Sequence, residues 1–182
     1  ITSGTSNGGG TTQGSTIQKI DYSNDTATAS PKGNLEHAMS RTAATGNSDY
    51  GYVGGGQQLG SRTYMQRIDY SSDTGTTSPK GALVLAKYIH SATSSTTHGY
   101  FSAGKSPAAP SNGWSNTDRI DYSNDTATAV DKSPLSAARG YHAGTSSRDY
   151  GNPTGVRQTV DKGAHGYTVA GSAPSYLSLI HI

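Results

Sequence analysis

Three pairs of aspartates recur along the chain at one internal spacing: Asp21 with Asp25, Asp69 with Asp73, and Asp121 with Asp125. Each pair frames a D-x-S-x-D run. Closely spaced carboxylates of this kind offer hard oxygen ligands to Ca²⁺. A calcium loop, however, closes on a further bidentate carboxylate, and no acidic residue follows these runs at a suitable spacing. Asp and Asn also bond their own backbone and cap tight turns. The sequence therefore predicts turn-capping aspartates, no metal ligand and no cofactor.

Other residue types that could do chemistry are scattered. Hydrolysis of a glycosidic bond needs two facing carboxylates. Glu36 is the sole glutamate, so a Glu pair is excluded. A sialidase-like site would need clustered arginines. Arg41, Arg62, Arg67, Arg119, Arg139, Arg148 and Arg157 fall at repeated or irregular loop positions instead. The histidines (His37, His90, His98, His142, His165 and His181) show no H-x-x-x-H spacing, and His98 and His165 both precede Gly-Tyr. Gly54, Gly55 and Gly56 resemble a phosphate cradle in composition only, since no Lys-Ser/Thr or helix start follows. Asn24 and Asn124 begin glycosylation sequons, which matter only in a host that glycosylates. No catalytic residue is assigned, and the sequence leaves the ligand-binding residues unknown.

These residues belong to a repeat. QKIDYSNDTATASPKG at 18–33 returns as QRIDYSSDTGTTSPKG at 66–81 and DRIDYSNDTATAVDKS at 118–133. The period is about fifty residues, which suits propeller blades or helical arrays. Tyr, Thr and Ile around a Ser-Asn-Asp centre predict strand, tight turn, strand. On this reading IDY ends the first strand, and TATA or TGTT forms the second. A second block follows, at 35–56 and 83–105. It predicts a strand, a polar turn (46–49 or 94–97) and an aromatic strand ending in small residues. The blade units are expected at 1–15 (the tail of a preceding blade), 16–60, 61–113 and 114–173. From Arg139 the third copy is interrupted, by an insertion of about fifteen residues or by degeneration.

Composition narrows the class further. Formal net charge is +2, 14% of residues are charged, and no Lys/Arg run suggests a nucleic-acid partner. Leu, Ile, Val and Phe are scarce, while twelve tyrosines supply packing with wet hydroxyl ends. The absence of cysteine excludes disulfides. No apolar run is long enough for a membrane span. The first residues lack a Met and a signal-peptide pattern, which predicts an internal fragment. The closing LSLIHI departs from the preceding composition and resembles sequencing-adapter read-through, so 174–182 is treated as an atypical tail.

The run Tyr22 to Ala29 resembles the kelch hairpin. Leu35 to Arg41 and Leu135 to Arg139 are similar to that family's apolar-to-Arg segment. Gly51 to Gly55 is similar to its aromatic strand and diglycine. The chain departs from the family in carrying Ala29, Thr77 and Ala129 where Trp is usual, and Ala103-Gly104 where diglycine is usual. Ser71 to Thr77 also resembles the Asp-box turn of sialidase-type propellers, with Ser78 in place of an aromatic; Ala27 and Ala127 replace its glycine elsewhere. Both resemblances imply an all-β partial propeller of about three to four four-stranded antiparallel blades. With fewer blades than closed propellers carry, an open arc is expected, completed by the remaining blades of a longer chain or by self-association.

Even repetition argues against a catalytic centre, and rigid discs with divergent loops suit recognition. The expectation is a non-enzymatic kelch-like scaffold for protein or surface-glycan binding. The repeat style resembles marine viral and microbial surface proteins, including tail fibres, which implies an extracellular or virion-surface location. The alternatives are a sialidase-like or glycosidase-like enzyme and a purely structural fibre spacer.

Overall fold

The structure is a computed structural model that describes residues 13–110 and 113–146, and the backbone of 166–169. The calls on the first twelve residues and on the 174–182 tail lie outside the described residues. Among those described, the chain is all-β, with strands β1 (Gly14–Lys19), β2 (Ser30–Met39), β3 (Ala43–Gly46), β4 (Tyr50–Gly54), β5 (Met65–Asp69), β6 (Ser78–Pro79), β7 (Ser91–Ser94), β8 (His98–Gly104), β9 (Trp114–Asp121), β10 (Val130–Lys132), β11 (Ala143–Ser146) and β12 (Gly166–Val169). No described helix is long and apolar enough to cross a membrane.

Two four-stranded antiparallel sheets, β3-β4-β5-β6 and β7-β8-β9-β10, form the centre. The pairs β1-β2 and β11-β12 flank them, and among the described residues no sheet closes on itself. The sheets are offset from the sequence units. β3 and β4 come from the first unit, whereas β5 and β6 come from the second. The aromatic strand of one unit thus pairs with the IDY strand of the next. Tyr52 lies opposite Arg67 and Gly51 opposite Ile68, just as Tyr100 lies opposite Arg119 and Gly99 opposite Ile120. In the third unit β11 and β12 still pair, Ala143 with Val169 through Ser146 with Gly166. The aromatic strand is therefore retained, and the extra sequence falls at the β11–β12 connection, which favours insertion over degeneration.

Two expectations for the hairpins need correction. The TATA and TGTT segments are not strands; β6 begins at Ser78 and β10 at Val130. Their backbone groups are spent on the preceding sheet. The Thr77 amide donates to the Asn34 carbonyl at 2.9 Å, and the Ala129 amide to that of Ala82 at 2.9 Å. The tyrosine of IDY also lies past the strand, in short 3₁₀ turns at Tyr70–Ser72 and Tyr122–Asn124. Residues 83–89 form no strand either. Leu83 is buried, Lys87 turns inward, and the Val84 amide donates to the Asp118 carboxylate at 3.1 Å. The expected strand before each polar turn is present as β3 and β7.

The core lies between sheets. One layer joins Ile17 and Leu35 to Val53 and Ile68. The next joins Met65 and Leu83 to Phe101 and Ile120, with Tyr52 and Ala129. The two layers are repeat copies of each other, with a bulkier second copy. Because each central strand packs on both faces, Met65, Gln66 and Ile68 of β5 are all buried. Thin layers of this kind explain how so few large aliphatic side chains suffice. At the next layer the equivalent of Ile17 and Met65 is Thr117, whose hydroxyl donates to Ser102 Oγ at 3.2 Å. Strands β3, β7 and β11 lie side by side. Arg41, Ile89 and Tyr141, just before them, share a left-handed backbone, with φ of 59°, 54° and 58°. The Ile89 amide donates to the Arg41 carbonyl and the Tyr141 amide to that of Ile89. The outer edges are short and carry Pro79, Asp131 and Lys132, features that discourage edge-to-edge pairing.

Candidate functional site

The two aspartates of each D-x-S-x-D turn do different work. The first caps its own turn. Asp21 accepts from the Ser23 amide at 2.9 Å and hydroxyl at 2.6 Å, Asp69 does the same for Ser71, and Asp121 for Ser123. These bonds hold the three carboxyls below the usual carboxylate range. The capping role is the one the sequence predicts.

In the second and third turns the other aspartate, Asp73 or Asp125, reaches across to the preceding sheet, a role the sequence did not suggest. Asp125 is buried and accepts from the Tyr52 hydroxyl at 3.0 Å and Arg67 Nη1 at 2.8 Å, with Lys80 Nζ at 3.2 Å. Tyr52 is fully buried and stacks on Tyr122, ring centroids 5.1 Å apart. Arg67 also lies over the Tyr50 ring at 4.2 Å. Asp73 is the looser copy. It meets Lys19 Nζ at 3.3 Å and Lys32 Nζ at 3.5 Å. The basic residues before IDY are thus in two copies, Lys19 and Arg67, partners of the next turn's carboxylate. A hint was present in sequence: a cation precedes every IDY, and a lysine follows thirteen residues after that cation in each case, at Lys32, Lys80 and Lys132.

Close backbone docking accompanies each carboxylate. The Gly33 amide donates to the Asp73 carbonyl at 2.8 Å, and the Gly81 amide to the Asp125 carbonyl at 2.9 Å. A Cβ at Gly33 would overlap the Gly75 carbonyl oxygen, and one at Gly81 that of Ala127. Glycine is therefore required where a turn lies on the edge of the preceding sheet.

Burial alone would raise the Asp125 carboxyl, but bonds from Tyr52, Lys80 and Arg67 and the Lys80 charge outweigh it, so its pKa is lowered. A depressed carboxylate stabilises the fold above its ordinary value of 3.8 and loses that contribution as pH falls through the lower folded value. Intersheet stability is accordingly expected to fall between about pH 5 and pH 2. Asp125→Asn should flatten this acid limb in urea melts recorded across that range; an unchanged limb would contradict the assignment.

The other candidates do not gather into one cluster, although the His142 charge is felt at His90. Arg41 Nη1 donates to Gln57 Oε1 at 2.8 Å, Arg62 Nε to the Gln58 carbonyl at 2.9 Å, and Arg139 Nε to the Ala137 carbonyl at 3.4 Å. His37 stacks on Tyr64 at 4.4 Å. His98 Nε2 lies 4.0 Å from Asp121. His90 is buried, and burial together with the Lys87 charge pushes its imidazole down to about 3. Burial also lowers His142. Glu36 is exposed. The amides of Gly55 and Gly56 donate to the Tyr64 and Lys87 carbonyls, so this glycine run presents no free cradle for phosphate. Asn24 and Asn124 are exposed on their turns. Arg148, Arg157, His165 and His181 lie outside the residues whose side chains are described. Among the described residues, no three His, Cys, Asp or Glu side chains gather as a metal site.

One ion pair is more deeply buried than the other ion pairs among the described residues. Lys87 and Asp118 are both fully buried, 3.3 Å apart, and Lys87 Nζ also donates to Asn116 Oδ1 at 3.0 Å. Asn116 Nδ2 donates to Asp118 at 2.5 Å. The pair ties the irregular 83–89 segment to β9, and neither side chain reaches solvent, which marks it as a structural element. No family model and no curated protein matches the chain.

Proposed function

We propose that the chain is a non-enzymatic, kelch-like propeller scaffold that attaches to a protein or a surface glycan, as a cell-surface or virion tail-fibre component would. Repeated four-stranded antiparallel sheets, with β3, β7 and β11 side by side, support the propeller reading. The observation that carries the functional reading is how the reactive residue types are used. Paired carboxylates and basic residues, the usual stock of a hydrolytic centre, are taken up by turn caps and intersheet contacts. Exposed groups concentrate in the turns and edges between strands, where recognition resides in rigid repeat scaffolds.

The test is a glycan array, paired with pull-downs from candidate host-cell envelopes. Retention of a defined glycan or envelope protein, without cleavage, is the expected result. Failure on both would remove the attachment reading, and release of free sugar from an arrayed sialoside would replace it with the glycosidase alternative.

A further inference from the structure

The third sheet edge repeats the basic half of the Asp125 contact without its acid. Tyr100 lies opposite Arg119 as Tyr52 lies opposite Arg67, and Val130 lies opposite Arg119 as Ser78 lies opposite Arg67. Lys132 and Lys80 each follow two residues later. Residues directly opposite, or two apart along a strand, share a face of a sheet. Tyr100, Arg119 and Lys132 therefore occupy one face, in the positions from which Tyr52, Arg67 and Lys80 grip a carboxylate. Among the described residues no salt bridge forms at Arg119 or Lys132. Asp131 pairs with Asp118 and alternates to the opposite face. Asp121, whose charge is felt near Arg119, is already bonded to Ser123, just as Asp69 beside Arg67 is bonded to Ser71.

A second difference decides what could fill this position. Gly33 and Gly81 admit the backbone of an incoming turn; the equivalent residue here is Ser133. A Cβ at Gly33 or Gly81 would overlap a carbonyl of its docked turn, and Ser133 carries that Cβ, so a protein turn docked in the same way would meet the same overlap. A smaller carboxylate remains able to reach the cations. Tyr100 and Arg119 are half-buried and Lys132 is exposed, while Val130 beside them is 49% exposed and offers an apolar rim. Arginine matches a planar carboxylate bidentately, and an aromatic with a hydroxyl suits a polyhydroxylated ring.

We propose that Tyr100, Arg119 and Lys132 form a subsite for an acidic sugar, with the sugar carboxylate taking the place that Asp125 occupies on the preceding sheet. The proposal rests on the attachment reading and names its ligand class. The test is titration calorimetry of the full chain with the methyl glycosides of glucuronic acid and N-acetylneuraminic acid. Methyl glucoside serves as the uncharged control, and a synthetic peptide of residues 118–129 as the protein-turn control. Saturable binding of one or both acidic glycosides is expected, and their ratio tells uronic from sialic acid. The glucoside and the peptide should not bind. Arg119→Gln should weaken the acid by about tenfold or more, with an unchanged circular dichroism spectrum. Ser133→Gly should admit the peptide. Binding of the peptide to the unaltered chain, equal binding of the neutral sugar, indifference to Arg119→Gln, or no binding of either acid would overturn the proposal. An array that retains glycans equally on the Arg119→Gln variant would remove this subsite alone and leave the attachment reading standing.

Discussion

Replacing Asp118 by Asn is expected to cost about 3–5 kcal/mol of folding stability, because it leaves the Lys87 ammonium buried without its counter-charge. Both side chains are fully buried. Burial pushes the Asp118 carboxyl up and the Lys87 amine down, and each partner's charge opposes the other's shift. With the carboxylate gone, Asn116 remains to receive the ammonium, and the nearest remaining charge acting on it is that of Asp131 at the sheet edge. For a chain of this size the loss corresponds to a fall of about 6–20 °C in Tm. Removing both charges should recover most of it, since a buried pair exchanged for apolar side chains of similar volume is often neutral. Lys87→Met with Asp118→Leu is the informative double variant. A single Asp118→Asn variant that melts within a degree of the parent would show that the pair contributes nothing.

Gly81→Ala is expected to be strongly destabilising for a single added methyl. The added carbon overlaps the Ala127 carbonyl oxygen, a backbone atom that cannot turn aside as a flexible side chain could. Relief requires the turn carrying Asp125 to lift from the sheet edge. That movement strains the Gly81–Asp125 backbone bond and the contacts to Tyr52, Arg67 and Lys80 together. Overpacking of this kind costs about 1–3 kcal/mol, and a backbone neighbour places this site at or above the upper end. Urea titration should register the loss. The same substitution at Gly60, whose Cβ direction is open, meets no atom within 4 Å and isolates the effect of its left-handed backbone. A Gly81→Ala variant as stable as the parent would mean that the sheets do not dock this closely.

Much of this architecture was legible in sequence. The fifty-residue period, the strand before each polar turn, the aromatic strand and the Asp-capped turn all follow from local chemistry. Alternation and turn residues report on neighbours a few positions away, and those neighbours are where the structure places them. The failures share one cause. Thr and Ala after each turn have strand-like composition, yet their amides bond the preceding sheet, and no local pattern records a partner some forty residues distant. The stretch 83–89 has the apolar content of a strand, but Lys87 and Leu83 are drawn to buried partners and break the pairing. The second aspartate of each turn was legible as a turn residue and not as an intersheet acceptor, because Asp125 and Arg67 lie 58 positions apart. The stagger between sequence units and sheets was hidden for the same reason.

These features give one residue pattern two roles. On the first two sheet edges the cations hold the next turn. On the third, Ser133 stands where the other edges carry glycine, and among the described residues neither Arg119 nor Lys132 forms a salt bridge. The most direct measurement compares one substitution at two equivalent positions, Arg67→Gln and Arg119→Gln, for thermal stability and for retention on an acidic-glycan array. Arg67→Gln is expected to lower Tm by about 2–4 °C, a loss of about 1 kcal/mol after allowance for its partial exposure, and to leave retention intact. Arg119→Gln is expected to leave Tm unchanged and abolish retention. Equal effects of the two substitutions on both readouts would contradict the division of labour on which the account rests.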